Sequence, residues 1–198
     1  MAASISDYVK FLHEAGHLKT LPRSGWFMTG VSNPESDADH MYRAAILGYV
    51  LAEMEGDADA HKVALMLLFH DMHETRLGDA HTTRRHYVYQ DPAELEVAKD
   101  QVKRMPPKMG EQYLLLFEEF EECKTKESII AKDADKLECA LQAIEYRGCA
   151  NDTIEDWVET VRPLLKTESA KKILAEAVSG KHLAWWRGFE ERKRGNTK

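Results

Sequence analysis

What the chain lacks narrows the possibilities first. It contains no run of about 18 apolar residues, so no segment reads as a membrane span. Residues 1–18 hold no long apolar stretch, being broken by Asp7 and Glu14, and they do not read as a signal peptide. Cysteine is scarce: Cys123, Cys139 and Cys149 are odd in number and form no CxxC pair. That pattern fits buried, reduced thiols and predicts a cytoplasmic protein rather than a disulfide scaffold. Positive charge is also short, with 27 Lys and Arg against 34 Asp and Glu and a net charge of −7. A nucleic-acid polymer needs a basic face, so it is excluded as a partner. A small anionic substrate is not, because a metal and a few arginines can reverse the field inside a cleft. No segment alternates with period two, and repeats, low-complexity tracts and long linkers are missing as well.

What is present describes one globular domain over residues 1–198, 43% hydrophobic and 31% charged. Apolar spacing predicts helices near 4–18, 37–55, 58–73, 91–104, 108–122, 126–148, 153–165, 167–179 and 181–192. The segment 19–36 reads as a long irregular loop, a kind that often carries function, and 74–90 as a polar loop. Pro106-Pro107 marks a break. Helix 58–73 is apolar almost all round and is expected to be central and buried. The fold class is all-α, an irregular helical bundle with its core over about 5–150 and C-terminal helices of about 151–192 packed on it. The tryptophans at 185 and 186 read as apolar surface of a closing helix that docks on the rest.

Four residues form the chemical constellation. His40, the adjacent pair His70-Asp71, and Asp135 sit on three separate predicted helices, with 29 and 63 residues between them. Two imidazoles and two carboxylates suit a divalent transition metal with positions left for water and substrate. Neighbouring helical residues point about 100° apart, so His70 and Asp71 can share an ion only if it lies off a helix end, where the geometry loosens. An HD dipeptide alone is weak; the ordered set is specific. Asp133, two residues before Asp135, faces another side of its helix and reads as solvated.

The pattern H…HD…D resembles the HD-domain phosphohydrolases. LPRSGW at 21–26, NPESDADH at 33–40, HDMHETRLGD at 70–79 and KDADKLECALQAIEY at 132–146 resemble the branch of 5'-deoxynucleotidases and HD-domain-containing protein 2. The resemblance implies a compact all-α fold, often a homodimer. It implies one divalent ion, cobalt, manganese or similar, held by His40, His70, Asp71 and Asp135. It also implies hydrolysis of deoxyribonucleoside 5'-monophosphates to nucleoside and phosphate. Glu74 matches the family's acidic residue after the HD pair, and with Asp71 it is the catalytic candidate. Asp79 matches the aspartate that contacts the sugar, Trp26 the aromatic that shapes the sugar pocket, and Arg23 stands near the phosphate-binding arginine.

The chemistry is consistent with those assignments. Phosphate monoesters hydrolyse extremely slowly unaided, and a divalent ion acidifies its water and polarises a phosphoryl oxygen. Glu74, one turn beyond His70, can orient that water or protonate the leaving 5'-oxygen. The Arg23 fork can grip phosphate. Asp79 can accept from a 3'-hydroxyl while Trp26 crowds out a 2'-hydroxyl.

Two departures from the family's usual text stand out. Asp37 replaces an apolar residue, and Asp39 a glutamate that is expected to support the site from outside. The segment after Asp79 is also unusually polar and basic. His73, His81 and His86 read as surface or rim polar groups, with a second metal site as the sharper alternative. Two other functions compete: hydrolysis of another small phosphorylated metabolite or nucleotide analogue, and a non-catalytic regulatory protein on the HD scaffold.

Overall fold

The computed structural model describes residues 3–88 and 91–180. The expected helix at 181–192, with its tryptophan pair, lies outside the described residues. Among the described residues, ten α-helices and three short 3-10 turns make up the regular structure, joined by one isolated antiparallel bridge between Pro22 and Ser36. The helices are α1 (Ile5–His17), α2 (Asp37–Glu55), α3 (Ala60–Phe69), α4 (Glu74–Leu77), α5 (Thr82–Tyr87), α6 (Asp91–Val102), α7 (Pro107–Glu122), α8 (Lys126–Tyr146), α9 (Ile154–Val161) and α10 (Glu168–Val178). The all-α class holds.

Helix starts follow local chemistry. Ser4, Ser36 and Thr125 begin α1, α2 and α8 with reciprocal capping boxes, each side chain accepting from the backbone N–H three residues on. Asp39 is the returning carboxylate of the second box, accepting from the Ser36 N–H at 2.9 Å and the Ser36 hydroxyl at 2.7 Å. It therefore caps a helix rather than supporting the site. Pro107 opens α7 at the position where a missing N–H costs nothing. The polar stretch 74–90, expected as loop, holds two short helices among its described residues.

Helices α2, α3 and α8 form the centre. Small residues line their contact: Ala44, Gly48, Ala134 and Ala140 let the backbones close in. A β-carbon at Gly48 would overlap Leu67 and fall 2.8 Å from Val63. Leu51, Leu67, Ile130 and Leu137 fill this core, and Val158 of α9 and Leu174 of α10 join it. Burying each such side chain contributes about 1.5–3 kcal/mol. A second cluster of Phe11, Met41, Met72, Tyr113 and Phe117 joins α1, α6 and α7 beneath the turn that follows α3.

Several expectations about burial fail. Of the three thiols only Cys139 is buried; Cys123 is partly exposed and Cys149 exposed. Helix α3 is not buried all round: Leu65 and Leu68 are 44% and 47% exposed, and Leu68 shares a surface hollow with the exposed Tyr42, Ile46 and Tyr49 of α2. Asp133 is not solvated. It is buried on α8, where it accepts from the backbone N–H groups of Lys166 and Thr167 and from the Thr167 hydroxyl, tying down the entry to α10. Helical spacing placed it away from Asp135 correctly, but that other side meets a neighbouring segment instead of water.

Candidate metal centre

Each of the four ligand candidates is positioned by how its helix begins or ends. His40 lies one turn into α2, its N–H bonded to the Ser36 carbonyl at 3.1 Å. His70 and Asp71 follow the last residue of α3, in a turn spanning 70–73. The helix has ended there, so neighbouring side chains can face one point. The Gln101 amide braces that turn, donating to the Met72 carbonyl at 2.8 Å and the Thr75 hydroxyl at 3.1 Å, and the Tyr113 hydroxyl in turn donates to Gln101 at 2.8 Å. Asp135 projects from the middle of α8.

The four meet. His40 Nε2 lies 3.2 Å from Asp135 Oδ1 and 3.9 Å from Asp71 Oδ2. His70 Nε2 lies 3.0 Å from Asp71 Oδ2 and 3.8 Å from Asp135 Oδ1. Both histidines use their other nitrogen outward. His70 Nδ1 faces the Leu67 carbonyl at 2.8 Å, and a carbonyl only accepts, so Nδ1 carries the proton. His40 Nδ1 faces Glu138 Oε2 at 2.5 Å. In the neutral rings the Nε2 atoms then carry inward lone pairs, and, though buried, they have no hydrogen-bond partner. Two partnerless imidazole nitrogens beside two carboxylates are what a divalent cation with mixed N/O preference requires.

The same electrostatics act on protons when no cation is present. Burial disfavours charged His40, yet Glu138 and Asp135 outweigh it and push its pKa up to about 9. Burial likewise opposes charge on His70, and Asp71 and Asp135 override it to about 10. Asp71 and Asp135 are held low by the two histidines despite their burial.

The loop 19–36 supplies the next ring of groups. Its strand-like pairing, Arg23 N–H to the Glu35 carbonyl at 3.0 Å and Asp37 N–H to the Leu21 carbonyl at 2.9 Å, holds Arg23 against the start of α2. Arg23 Nη1 stands 3.1 Å from Asp79, 3.4 Å from Asp71 and 3.8 Å from Asp37. Its Nη2 lies 3.5 Å from the buried Cys139 sulfur. Asp79 also accepts from the Ser24 N–H at 2.6 Å and from the Ser24 hydroxyl. Trp26 is 1% exposed. It stacks on Trp157 with 4.3 Å between centroids and donates Nε1–H to Glu35 at 3.0 Å. Gly25 permits that stack, since a β-carbon there would lie 2.6 Å from Trp157.

Glu74 is buried beside this ring, with Oε1 3.8 Å from Arg85 and Oε2 without a partner. Burial first, then Asp71 and Asp37, push its carboxyl well above the usual range. Asp37 is fully buried with both oxygens unmet, and burial pushes it up to about 6. A cavity of about 570 Å³ opens over these groups, lined by Arg23, Trp26, Asp71, Asp79, Asp135 and Trp157 among others. All eight residues singled out in the sequence thus lie within or beside one site.

Sequence reasoning missed Glu138 and Arg43. Glu138 is fully buried and joins His40 to Arg43, whose Nε donates to Glu138 Oε1 at 2.8 Å. Arg43 is itself fixed by Glu145 at 2.8 Å and Gln142 at 2.6 Å. Asp135, Glu138, Gln142 and Glu145 recur at helical spacing as a polar stripe along α8, and that was the available signal. His86 is exposed and His81 partly so, as expected, but His73 is buried.

An all-α bundle that gathers two histidines and two aspartates from the ends and middles of its helices over a cavity is built as a metal-dependent hydrolase. Comparison with known proteins agrees. The HD domain family profile matches residues 15–179. The 5'-deoxynucleotidase HDDC2 of Dictyostelium discoideum is 37% identical over 153 residues, covering 72% of this chain and 78% of that protein. The Homo sapiens protein of the same name is 33% identical over 139 residues, covering 70% and 67%. Among solved structures, a conserved hypothetical protein from Pyrococcus furiosus superposes with a TM-score of 0.73 at 31% identity, covering 86% of this chain and 99% of that one. The chain belongs to the HD-domain metal-dependent phosphohydrolases and is homologous to the HDDC2 branch of 5'-deoxynucleotidases.

Proposed function

We propose that this protein hydrolyses deoxyribonucleoside 5'-monophosphates to nucleoside and phosphate, using a divalent ion held by His40, His70, Asp71 and Asp135. The observation that carries the reading is the pair of buried, partnerless Nε2 atoms facing Asp71 and Asp135, with His70, Asp71 and Asp135 lining a 570 Å³ cavity. Homology to proteins named for this reaction supplies the substrate class. When bound, the ion would supply an activated water and an electrophile for the phosphoryl oxygen.

The chain's own groups do the rest. Arg23 holds a guanidinium beside the ligand set and can exchange its carboxylate partners for the substrate phosphate. Burial favours the protonated form of Glu74; a cation nearby would favour its carboxylate, which, with the proton released to solvent, can orient the attacking water. Asp79 accepts from the 3'-hydroxyl, with Ser24 holding the carboxylate in place. Trp26, clamped between Trp157 and Glu35, forms a rigid wall that leaves no room for a 2'-hydroxyl. The exposed apolar patch of Tyr42, Ile46, Tyr49 and Leu68 supports the further reading of a homodimer, which light scattering tests.

The test of function is phosphate release from a panel of deoxy- and ribonucleoside 5'-monophosphates. Metal-stripped protein is supplied in turn with cobalt, manganese, magnesium, zinc and iron, with Asp71→Ala alongside. The expected result is metal-dependent release that favours deoxynucleotides and vanishes in the variant. Release without sugar preference would remove the roles of Trp26 and Asp79. Folded, metal-loaded protein that releases nothing would reject the nucleotidase reading in favour of another phosphorylated metabolite or a regulatory role.

A further inference from the structure

The segment after Asp79 is unusually polar and basic, and the site as described makes no use of it. Gly78, with a φ of +77°, turns the chain there, and α5 follows as a short helix with no buried residue. Its two arginines fold back onto the stretch that presents Asp79. Arg84 Nη1 donates to the Leu77 carbonyl at 3.3 Å and to the Asp79 carbonyl at 3.4 Å. Arg85 Nε donates to the Ala80 carbonyl at 3.0 Å. That anchor uses one donor of the Arg85 fork, and the side chain borders the cavity.

Arg23, Arg85, Lys132 and Lys136 are the lysines and arginines that line this cavity among the described residues. They differ in what each already holds. Arg23 is committed to Asp79, Asp71 and the Cys139 sulfur. Lys132 is taken up by Glu121 at 2.9 Å and lies over the Phe120 ring, 3.7 Å from its centroid. Lys136 turns back along its own helix to the Lys132 carbonyl at 3.4 Å. The Nη groups of Arg85 make no hydrogen bond among the described residues, and Nη2 stands 3.8 Å from Glu74 Oε1, beyond bonding distance. A ligand atom of Glu74 lies within 4.8 Å of one of Asp71, so Arg85 faces the ligand set across Glu74. Burial works against its charge, and Asp71, Glu94, Glu74 and Asp135 override burial and hold the guanidinium charged.

Charge supplies the reason for a further cation. The positive charge of one divalent ion and Arg23 is matched by the carboxylates of Asp71, Asp79 and Asp135 before any substrate arrives. A phosphate monoester dianion adds negative charge that this balance does not meet, and the deficit is costly in a cleft of low dielectric. We propose that Arg85 is a second phosphate-binding residue, closing on the substrate's phosphoryl oxygens from α5 while Arg23 meets them from the side of Asp79. The inference rests on the phosphohydrolase reading above. A planar fork anchored through Nε keeps its orientation while both Nη groups stay available, which suits a two-point grip on phosphate. The half-exposed side chain gives that grip freedom to open and close. Its anchor is the backbone next to Asp79, so one stretch of chain, 77–85, spaces the phosphate contact from the sugar contact.

The test reads phosphate binding before turnover. Inorganic phosphate is titrated calorimetrically into the manganese-loaded full chain, as wild type, Arg85→Gln and Arg85→Lys. Manganese affinity and circular dichroism are measured on each. Loss of charge-assisted bonds should weaken phosphate about 10- to 100-fold in Arg85→Gln, with lysine recovering part of the loss and manganese affinity unchanged. In the nucleotide panel kcat/KM should fall by a similar factor, with the ratio of deoxy to ribo substrates unaltered. Phosphate affinity within about twofold of wild type in Arg85→Gln overturns the proposal. A loss matched by an equal loss of manganese affinity also overturns it, because Arg85 would then act on the centre through Glu74. Wild-type protein that binds manganese and no phosphate does the same. Phosphate binding that depends on Arg85, in a protein that hydrolyses none of the nucleotides, would reject the nucleotidase reading and leave the phosphate site standing.

Discussion

Replacing Glu138 by Gln should weaken metal binding without touching any ligand. Glu138 is fully buried and serves two donors: Oε2 takes His40 Nδ1 at 2.5 Å and Oε1 takes Arg43 Nε at 2.8 Å. A glutamine has one acceptor. If its oxygen stays with Arg43, its NH2 faces His40 Nδ1, and the ring relieves the clash by moving its proton to Nε2. In the neutral ring that must take up the ion, Glu138 keeps the single proton on Nδ1, whereas in the variant that proton favours the nitrogen that faces Asp71 and Asp135. If the amide flips instead, His40 keeps its partner but the NH2 opposes Arg43, which Glu145 and Gln142 hold in place. Either way a buried donor is opposed. Outer partners of this kind are worth about 10- to 100-fold in metal affinity, or about 1.4–2.8 kcal/mol. Competition against a chromophoric chelator measures it, with circular dichroism confirming the fold. An affinity within about twofold of wild type would refute the claim that Glu138 sets the His40 tautomer.

Other consequences are equally direct. Gly48→Ala gains about 1 kcal/mol of helix propensity but forces a methyl into Leu67 and Val63, an overpacking cost of about 1–3 kcal/mol. A net loss is expected in urea unfolding; a gain would mean α2 and α3 are looser than described. Asp133→Ala strips acceptors from the Lys166 and Thr167 N–H groups and should cost about 2–3 kcal/mol. An unchanged denaturation midpoint would return Asp133 to the solvated reading. In the metal-free protein His40 and His70 sit at about 9 and 10, above the ordinary 6.5 of an unfolded histidine. Groups raised on folding stabilise fully below the unfolded value, and that stabilisation is lost as pH climbs through the folded values. The metal-free melting temperature should therefore fall between about pH 7 and pH 10, and saturating metal, which binds the neutral rings, should remove the fall. A flat metal-free profile would contradict the pairing.

Much of this was legible in the chain, and the parts that were not share a cause. Apolar spacing placed α2 near 37–55, where it lies, and the order H…HD…D named a ligand set that the fold brings together. Periodicity tells which way a side chain points relative to its own helix. It does not tell what waits there. Asp133 was assigned the correct side of α8 and the wrong environment, because its partners come from 33 and 34 residues away. Glu138 was hidden for the same reason, its partner His40 lying 98 residues off. Leu65 and Leu68 looked like core because composition cannot separate a buried face from an apolar face left at the surface.

The turn at 70–73 shows why the HD pair is informative where either residue alone is not. Adjacent side chains share a target only where a helix has stopped, so an adjacent His and Asp that both bind an ion require the helix to end at Phe69. Something must then hold the freed backbone still. Here that is Gln101 on α6 and Tyr113 on α7, neither of which reaches the cavity floor. The second hydrophobic cluster, with Met72 at its top and Phe117 beneath His73, is therefore part of the site's construction rather than a separate source of stability. It also sets the direction of His73. The feature that lets His70 and Asp71 converge also turns His73 toward the same cavity.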